Sequence, residues 1–292
     1  MDLPFPHQKQ VKLCDYSTFG IGGPARYLTE ARSSVQMQEM LAFAHQMSLR
    51  VFILGKGSNT LFDDKGYDGL VILNRIDYLE QNSQGLFRVG SGYSFARLGG
   101  LTARQGWSGL EFASGIPATV GGAIYMNAGA NGNETASALV EVGYVTELGV
   151  HVRFKKDVLS FGYRSSPFQN LRGAIVEGVF QLSSSAESKK TQKEILNYRL
   201  KTQPYGEKSA GCAFRNPQGS SAGQLIDSCG LKGIAVGGAC VSGMHANFIV
   251  NQGGAKAQDV LELMQKIKDQ VHEKKGIVLE EEIRYIAYDS WV

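Results

Sequence analysis

A chain of 292 residues is long enough to bury a sizeable core without disulfides, and long enough to divide into two or three units. A net charge of +3 falls short of the concentrated basic face that nucleic-acid binding requires, and no apolar run reaches the roughly 20 residues that span a bilayer. The four cysteines, Cys14, Cys212, Cys229 and Cys240, form no CxxC pair, no His, Cys or carboxylate run has metal-site spacing, and MDLPFPHQKQVKL lacks the apolar stretch of a secretory leader; the expectation is a soluble, cytoplasmic protein with free thiols and no metal.

In chain order, Ser33 and Ser34 cap a helix over 35–47, and RVFILG (50–55) reads as a buried strand. The strand runs into LGKGSN, where Lys56 is followed by Gly57 rather than Ser or Thr, so neither standard phosphate loop is complete. The turn offers backbone N–H groups to a phosphate, and a plain tight turn explains it equally well.

Glycine numbers 36, against the roughly twenty that average usage of about 7% supplies. Eleven of them fall between Gly90 and Gly132, most within GWSGLEFASGIPATVGGAIYMNAGANGNE. Pro117 starts a helix whose first turn includes Thr119, Gly121 and Gly122, a geometry in which free N–H groups and the helix dipole suit a pyrophosphate. The rival reading is a tightly packed Gly-rich loop and helix with no ligand.

Past the glycines the pattern turns to strands. ALVEVGYVTEL and HVRFK form a hairpin about Gly149, and GAIVEGVFQL (173–182) is a third strand. Arg164, in FGYRSSPF (161–168), sits on the connection between them, either clamping a carboxylate or simply solvated. Residues 186–204 read as a helix-bearing linker, and a domain boundary is placed within it. The last unit carries SAGCAFRNP and GMHANFIVN, then a helix with Val260, Leu263, Met264, Ile267 and Val271 on one face. It closes with a strand, IVLEEEIRYIAY, in which Glu280, Glu282 and Arg284 share one face while Leu279, Ile283 and Tyr285 turn to the core. By pattern alone the acidic residues fit a solvated edge strand.

The motifs YSTFGIGGPA, LGKGSNTLF, GLEFASGIPATVGGAIYMNAGA, FGYRSSPF, SAGCAFRNP, GLKG with HANFIVN, and LEEEIR occur in the order found in UDP-N-acetylenolpyruvoylglucosamine reductases. The chain resembles that family over nearly its whole length, in the shorter subclass that lacks an inserted tyrosine loop. The resemblance implies an α+β protein with an FAD-binding fold of the vanillyl-alcohol-oxidase type. Two α+β FAD subdomains would cover 1–75 and 76–190, and a C-terminal α+β substrate domain 191–292. Gly55, Lys56, Gly57, Ser58 and Asn59, with Gly115, Ile116, Thr119, Gly121, Gly122 and Ala123, would hold non-covalent FAD.

By the same resemblance NADPH reduces the flavin, and UDP-N-acetylglucosamine enolpyruvate then binds over the ring and becomes UDP-N-acetylmuramate, a peptidoglycan precursor. Hydride passes from flavin N5 to C3, and charge develops on the substrate carboxylate between Arg164 and Glu282, the latter protonated through a raised pKa. Cys212 stands where many relatives have serine, as proton donor to C2; a thiol is the better acid near neutral pH. Tyr163, Asn216, Lys232, His245 and Arg284 match substrate-binding positions, and His245 equally reads as a core histidine. Cys14, Cys229 and Cys240 read as small buried hydrophobes. Nothing implies a nucleic-acid, membrane or obligate protein partner.

Three positions depart from the family pattern: Ala118 stands where glycine is usual, Asn131 where tyrosine is common, and the stretch from Arg164 to Cys212 has no room for the inserted loop. Tyr205 is a candidate for the missing tyrosine by location alone. Two other readings stand beside the reductase: an FAD-dependent oxidase of the same fold acting on a sugar or alcohol, and a non-catalytic nucleotide-binding protein. Arg164 with Glu282 favours a carboxylate-bearing substrate over the first, and the combination of Arg, Cys and Glu positions favours an enzyme over the second.

Overall fold

The computed structural model describes residues 2–291. Its first sheet is made by β1 (Gln8–Lys12), β2 (Pro24–Ala31), β3 (Val51–Leu54) and β5 (Tyr67–Asn74), with a short β4 (Thr60–Phe62) outside it. The order is β1-β2-β5-β3, with β1 antiparallel to β2 and both β2 and β3 parallel to β5. Strand β5 reads YDGLVILN and is buried almost throughout, as a parallel strand covered on both faces must be. Helix α1 (Ser34–Gln46) starts one residue before the expected 35, because Ser33 Oγ accepts from the Gln36 N–H at 3.2 Å and so serves as the cap. Its buried face, Met37, Met40, Leu41 and Ala44, packs on Tyr27, Leu70 and Ile72 and also on Val145, Ala174 and Val176 of the second sheet. The helix thus sits between two sheets.

The second sheet comprises β6 (Leu79–Gln81), β7 (Leu86–Gly90), β8 (Leu139–Thr146), β9 (His151–Lys155) and β10 (Gly173–Gln181), in the order β9-β8-β10-β7-β6 and antiparallel throughout. The expected hairpin is β8 with β9. Helices α2 (Phe95–Arg104) and α3 (Val120–Tyr125) cover the sheet through Phe95, Leu98, Val120 and Ile124, which join Phe87, Phe112 and Phe180 in one core. A charged side chain lies within this sheet: Glu177 on β10 accepts from Arg88 Nη1 at 2.7 Å, from Arg153 Nη1 at 2.9 Å and from the Tyr78 hydroxyl. Those donors are what make burial of the carboxylate tolerable.

The polar segment forms α4 (Ser188–Thr202), and beyond it β11 (Ser209–Cys212), β12 (Ala235–Val236), β13 (Ala239–Val241) and β14 (Phe248–Asn251) make an antiparallel sheet in the order β11-β14-β13-β12. Helices α5 (Ala222–Ser228) and α6 (Ala257–Lys275) pack on it. Val260, Leu263, Met264, Ile267 and Val271 of α6 are all buried, each contributing roughly 1.5–3 kcal/mol before conformational entropy is counted. Phe19, Ile21 and Leu61, from far earlier in the chain, complete this core.

The closing strand differs from expectation. Only Arg284–Ile286 (β15) is a strand, pairing in parallel with β4. Just before it, the Glu282 N–H donates to the Ala213 carbonyl at 2.8 Å and the Arg215 N–H to the Glu280 carbonyl at 2.9 Å. The chain therefore changes partner between 282 and 284, and a single period-two face cannot persist across the change. Leu279 and Ile283 are buried, but Tyr285 is exposed, its hydroxyl donating to Asp63 Oδ2 at 2.7 Å. Glu280 faces solvent while Glu282 is turned inward. No helix among the described residues is long and apolar enough to cross a membrane.

Candidate active site

The three units enclose a cleft of 660 Å³, within the usual range for a cofactor or substrate site. Its walls come from the turn after β3, the loop and first turn around α3, the Arg164 loop, α4, the end of β11, and the segment entering β15. Four cations, Lys56, Arg164, Arg199 and Arg284, line it against one carboxylate, Glu282, so it attracts anions.

The turn after β3 is shaped by glycine. Gly57 adopts φ +61°, and a Cβ there would stand 2.6 Å from the Tyr16 carbonyl oxygen; at Gly55 a Cβ would stand 2.6 Å from Thr119 Oγ1. Gly55 lets this turn lie against the start of α3, and Gly57 lets it lie against the Tyr16–Ser17 backbone. Lys56 Nζ donates to Ser94 Oγ at 3.2 Å, and burial lowers its pKa. The N–H groups of Lys56, Gly57, Ser58 and Asn59 donate to no protein acceptor among the described residues.

Helix α3 corrects the expectation of free N–H groups. It begins at Val120, three residues past Pro117, with Thr119 as its cap. Val120 N–H donates to Tyr93 O at 2.9 Å, Gly121 to Ser91 O at 2.8 Å, Gly122 to Thr119 Oγ1 at 3.2 Å and Ala123 to Thr119 O at 2.8 Å. Ile116, Thr119, Gly121 and Gly122 line the cleft, whereas Gly115 and Ala123 do not. Gly115 lies behind it, its carbonyl accepting from Tyr205, and the Ala123 methyl belongs to the core of the second unit. Tyr144, on the cleft wall, holds a buried hydroxyl with no protein partner. Open N–H groups, a lysine and an orphaned hydroxyl lining one cleft fit a long anionic cofactor such as FAD.

At the other end, residues remote in sequence meet. Arg164 sits in a tight loop closed by reciprocal 3.0 Å bonds between Gly162 and Ser165, and its φ of +54° is rare for a side-chain-bearing residue. Its Nε donates to Glu282 Oε1 at 2.7 Å. Glu282 is fixed through its backbone, the N–H bonded to Ala213 and the carbonyl accepting from Asn59 Nδ2 at 3.1 Å. Burial raises the Glu282 pKa, outweighing the downward pull of Arg164 and Arg215. Cys212, at the end of β11, has its thiol pushed up to about 12 by burial first and the Glu282 charge second, against Arg164, Arg199 and a hydrogen bond from Asn247.

The remaining expected residues divide. Arg284 bonds the Tyr125 hydroxyl, with its guanidinium 4.8 Å from that ring's centroid. Asn216 Oδ1 accepts from Ala222 N–H at 3.0 Å, and His245 accepts from Asn247 N–H at 3.2 Å while its ring meets Phe248 edge-on; both line the cleft, and burial lowers the His245 pKa. His245 is thus a packed histidine and a lining one at once. Lys232 is outside the lining, paired with Asp227 at 2.8 Å, and so is Tyr163, half exposed beneath the Arg164 guanidinium. Cys229 and Cys240 are buried and Cys14 is half-buried. Among the described residues no group of three or more His, Cys, Asp or Glu is placed to hold a metal ion. Sequence reasoning missed Tyr125, Arg199 and Asn247; Tyr125 and Asn247 stood inside quoted motifs, Asn247 as a polar residue just before the apolar strand β14.

The profile of the FAD binding domain matches residues 25–155, and that of the UDP-N-acetylenolpyruvoylglucosamine reductase C-terminal domain matches residues 203–286. The UDP-N-acetylenolpyruvoylglucosamine reductase of Protochlamydia amoebophila is 56% identical over 289 residues, 99% of this chain and 97% of that protein. The chain belongs to the UDP-N-acetylenolpyruvoylglucosamine reductase family. The family's member from Chlamydia felis is 47% identical over 98% of this chain and 96% of its own length. The crystal structure of UDP-N-acetylenolpyruvylglucosamine reductase from Thermus caldophilus superposes with a TM-score of 0.81 at 39% identity, covering 95% of this chain and 98% of that one. The fold is the family's: an FAD-binding domain of the vanillyl-alcohol-oxidase type followed by the reductase C-terminal domain.

Proposed function

We propose that this protein reduces the enolpyruvyl group of UDP-N-acetylglucosamine enolpyruvate to the lactyl ether of UDP-N-acetylmuramate, at the expense of NADPH, in peptidoglycan precursor synthesis. FAD, when bound, would supply a hydride, drawn from NADPH, to C3 of the enolpyruvyl group. The turn from Gly55 to Asn59, with Lys56, would hold the cofactor diphosphate, with Ile116, Thr119, Gly121 and Gly122 lining the same cleft.

The observation that carries the reading is the Arg164 Nε to Glu282 Oε1 contact of 2.7 Å, half-buried in the cleft wall that Cys212 also lines. As C3 gains electrons, negative charge moves through C2 into the substrate carboxylate. Arg164 supplies fixed positive charge there, and Glu282, with its pKa raised, donates a hydrogen bond in its protonated form. Cys212 gives its proton to C2. Arg164, Arg199 and Asn247 offset part of the cost of burying the thiolate left behind, which regains a proton from solvent. Asn216, His245 and Arg284 lie where the nucleotide or sugar would pass. Four free thiols support a reducing, cytoplasmic setting. Family membership takes precedence over the oxidase and non-catalytic readings.

Turnover in deuterium oxide tests this. The product should be the lactyl ether carrying deuterium at C2. Consumption of NADPH with the enolpyruvyl group left intact, or a C2 bearing only protium, would refute the assignment.

A further inference from the structure

Three of the four cleft cations are already engaged. Lys56 bonds Ser94 beside the cofactor turn, Arg164 bonds Glu282, and Arg284 bonds Tyr125. Arg199, on α4, pairs with no carboxylate among the described residues. Its Nε donates to Tyr205 Oη at 2.9 Å, and that hydroxyl donates to the Gly115 carbonyl at 2.5 Å. The packing here is close, since a Cβ on Gly115 would lie 2.6 Å from both Cδ and Nε of Arg199. With Nε tied back, the two Nη groups have no protein partner, on a residue that lines the cleft together with Cys212, Asn216 and His245.

We propose that Arg199, braced by Tyr205, binds the diphosphate of the uridine nucleotide substrate. The inference rests on the substrate reading above and adds a residue that the sequence did not single out. A guanidinium fixed at Nε presents its remaining N–H groups as a fork suited to phosphate oxygens. Arg199 lines the cleft together with Cys212, Asn216 and His245, so it serves a ligand that reaches the proton donor. Proximity to these residues shows in the chemistry, because the Arg199 charge lowers the pKa of both Cys212 and His245. Tyr205 then acts as a positioning residue. Its hydroxyl is engaged twice, by Arg199 and by the Gly115 carbonyl.

The test compares UDP with uridine, by isothermal titration of the FAD-loaded protein. Arg199→Gln should weaken UDP binding by about ten- to a hundredfold, the range for a lost charged hydrogen bond, and leave uridine unchanged. KM for the enolpyruvyl nucleotide should rise with kcat little altered, while bleaching of the flavin by NADPH keeps its rate. Arg199→Lys, which keeps the charge and loses the fork, should show a smaller loss of the same kind, and it carries the comparison if the Gln variant sheds FAD. Tyr205→Phe should raise the UDP dissociation constant several-fold with uridine again unchanged. Equal losses for UDP and uridine, no loss for UDP, or a rise in KM for NADPH instead would overturn the proposal. Failure of the wild-type protein to reduce the enolpyruvyl nucleotide would sink the functional reading and leave the UDP comparison to decide the role of Arg199.

Discussion

Replacing Cys212 by alanine isolates the proton donor. Burial pushes the thiol up to about 12, so the group carries its proton near neutral pH, as the reaction requires. A positioned acid contributes about 10²- to 10⁴-fold to a rate, or about 3–5.5 kcal/mol of barrier. Anaerobic stopped-flow absorbance separates the two halves of the reaction. In Cys212→Ala, bleaching of the flavin by NADPH should match wild type, and its recolouring by the enolpyruvyl nucleotide should slow by that factor. Cys212→Ser retains an acidic proton and should keep substantial turnover. The same raised pKa should make wild-type Cys212 slower toward iodoacetamide than an ordinary thiol. Recolouring of the Ala variant at wild-type speed would refute the role.

Other perturbations separate the remaining parts. Burial keeps Glu282 protonated to a higher pH than an ordinary glutamate, so recolouring should fall as pH rises through that raised pKa, and Glu282→Gln should flatten the fall in a single-turnover profile from pH 5 to 9. Gly57→Ala, at φ +61° and 2.6 Å from a carbonyl oxygen, should cost at least about 1–2 kcal/mol, lowering Tm by several degrees and releasing FAD on gel filtration. Glu177→Ala leaves Arg88 and Arg153 without their shared acceptor; as both arginines are over a third exposed, solvent limits the cost to about 1–2 kcal/mol, seen by calorimetry as a lower Tm with both flavin steps unchanged.

Local patterns were legible and distant ones were not. Five apolar residues at helical spacing located the buried face of α6, and Ser33 announced α1, because period and cap are properties of a few adjacent residues. Strand partners are not local. Residues 280–282 bond to 213–215 and β15 then turns to β4, more than 200 residues earlier, which no alternation within IVLEEEIRYIAY encodes. The start of α3 looked open for an anion because its donors are visible in sequence, whereas the carbonyls of Ser91 and Tyr93 that satisfy them arrive through folding. Arg164, Cys212 and Glu282 were joined beforehand only by family resemblance, and bringing them to one cleft depends on a loop, the end of β11 and the segment entering β15. Arg199 carried no signal at all in a polar helix, since its value lies in which neighbour holds Nε.

The central claim is that one cleft runs two successive half-reactions on a single flavin. An anaerobic visible spectrum followed through addition of NADPH and then UDP-N-acetylglucosamine enolpyruvate tests it most directly. The flavin band should vanish with the first and return with the second in stoichiometric amount. A band that returns only when oxygen is admitted, or a protein that takes up no FAD, would contradict the account.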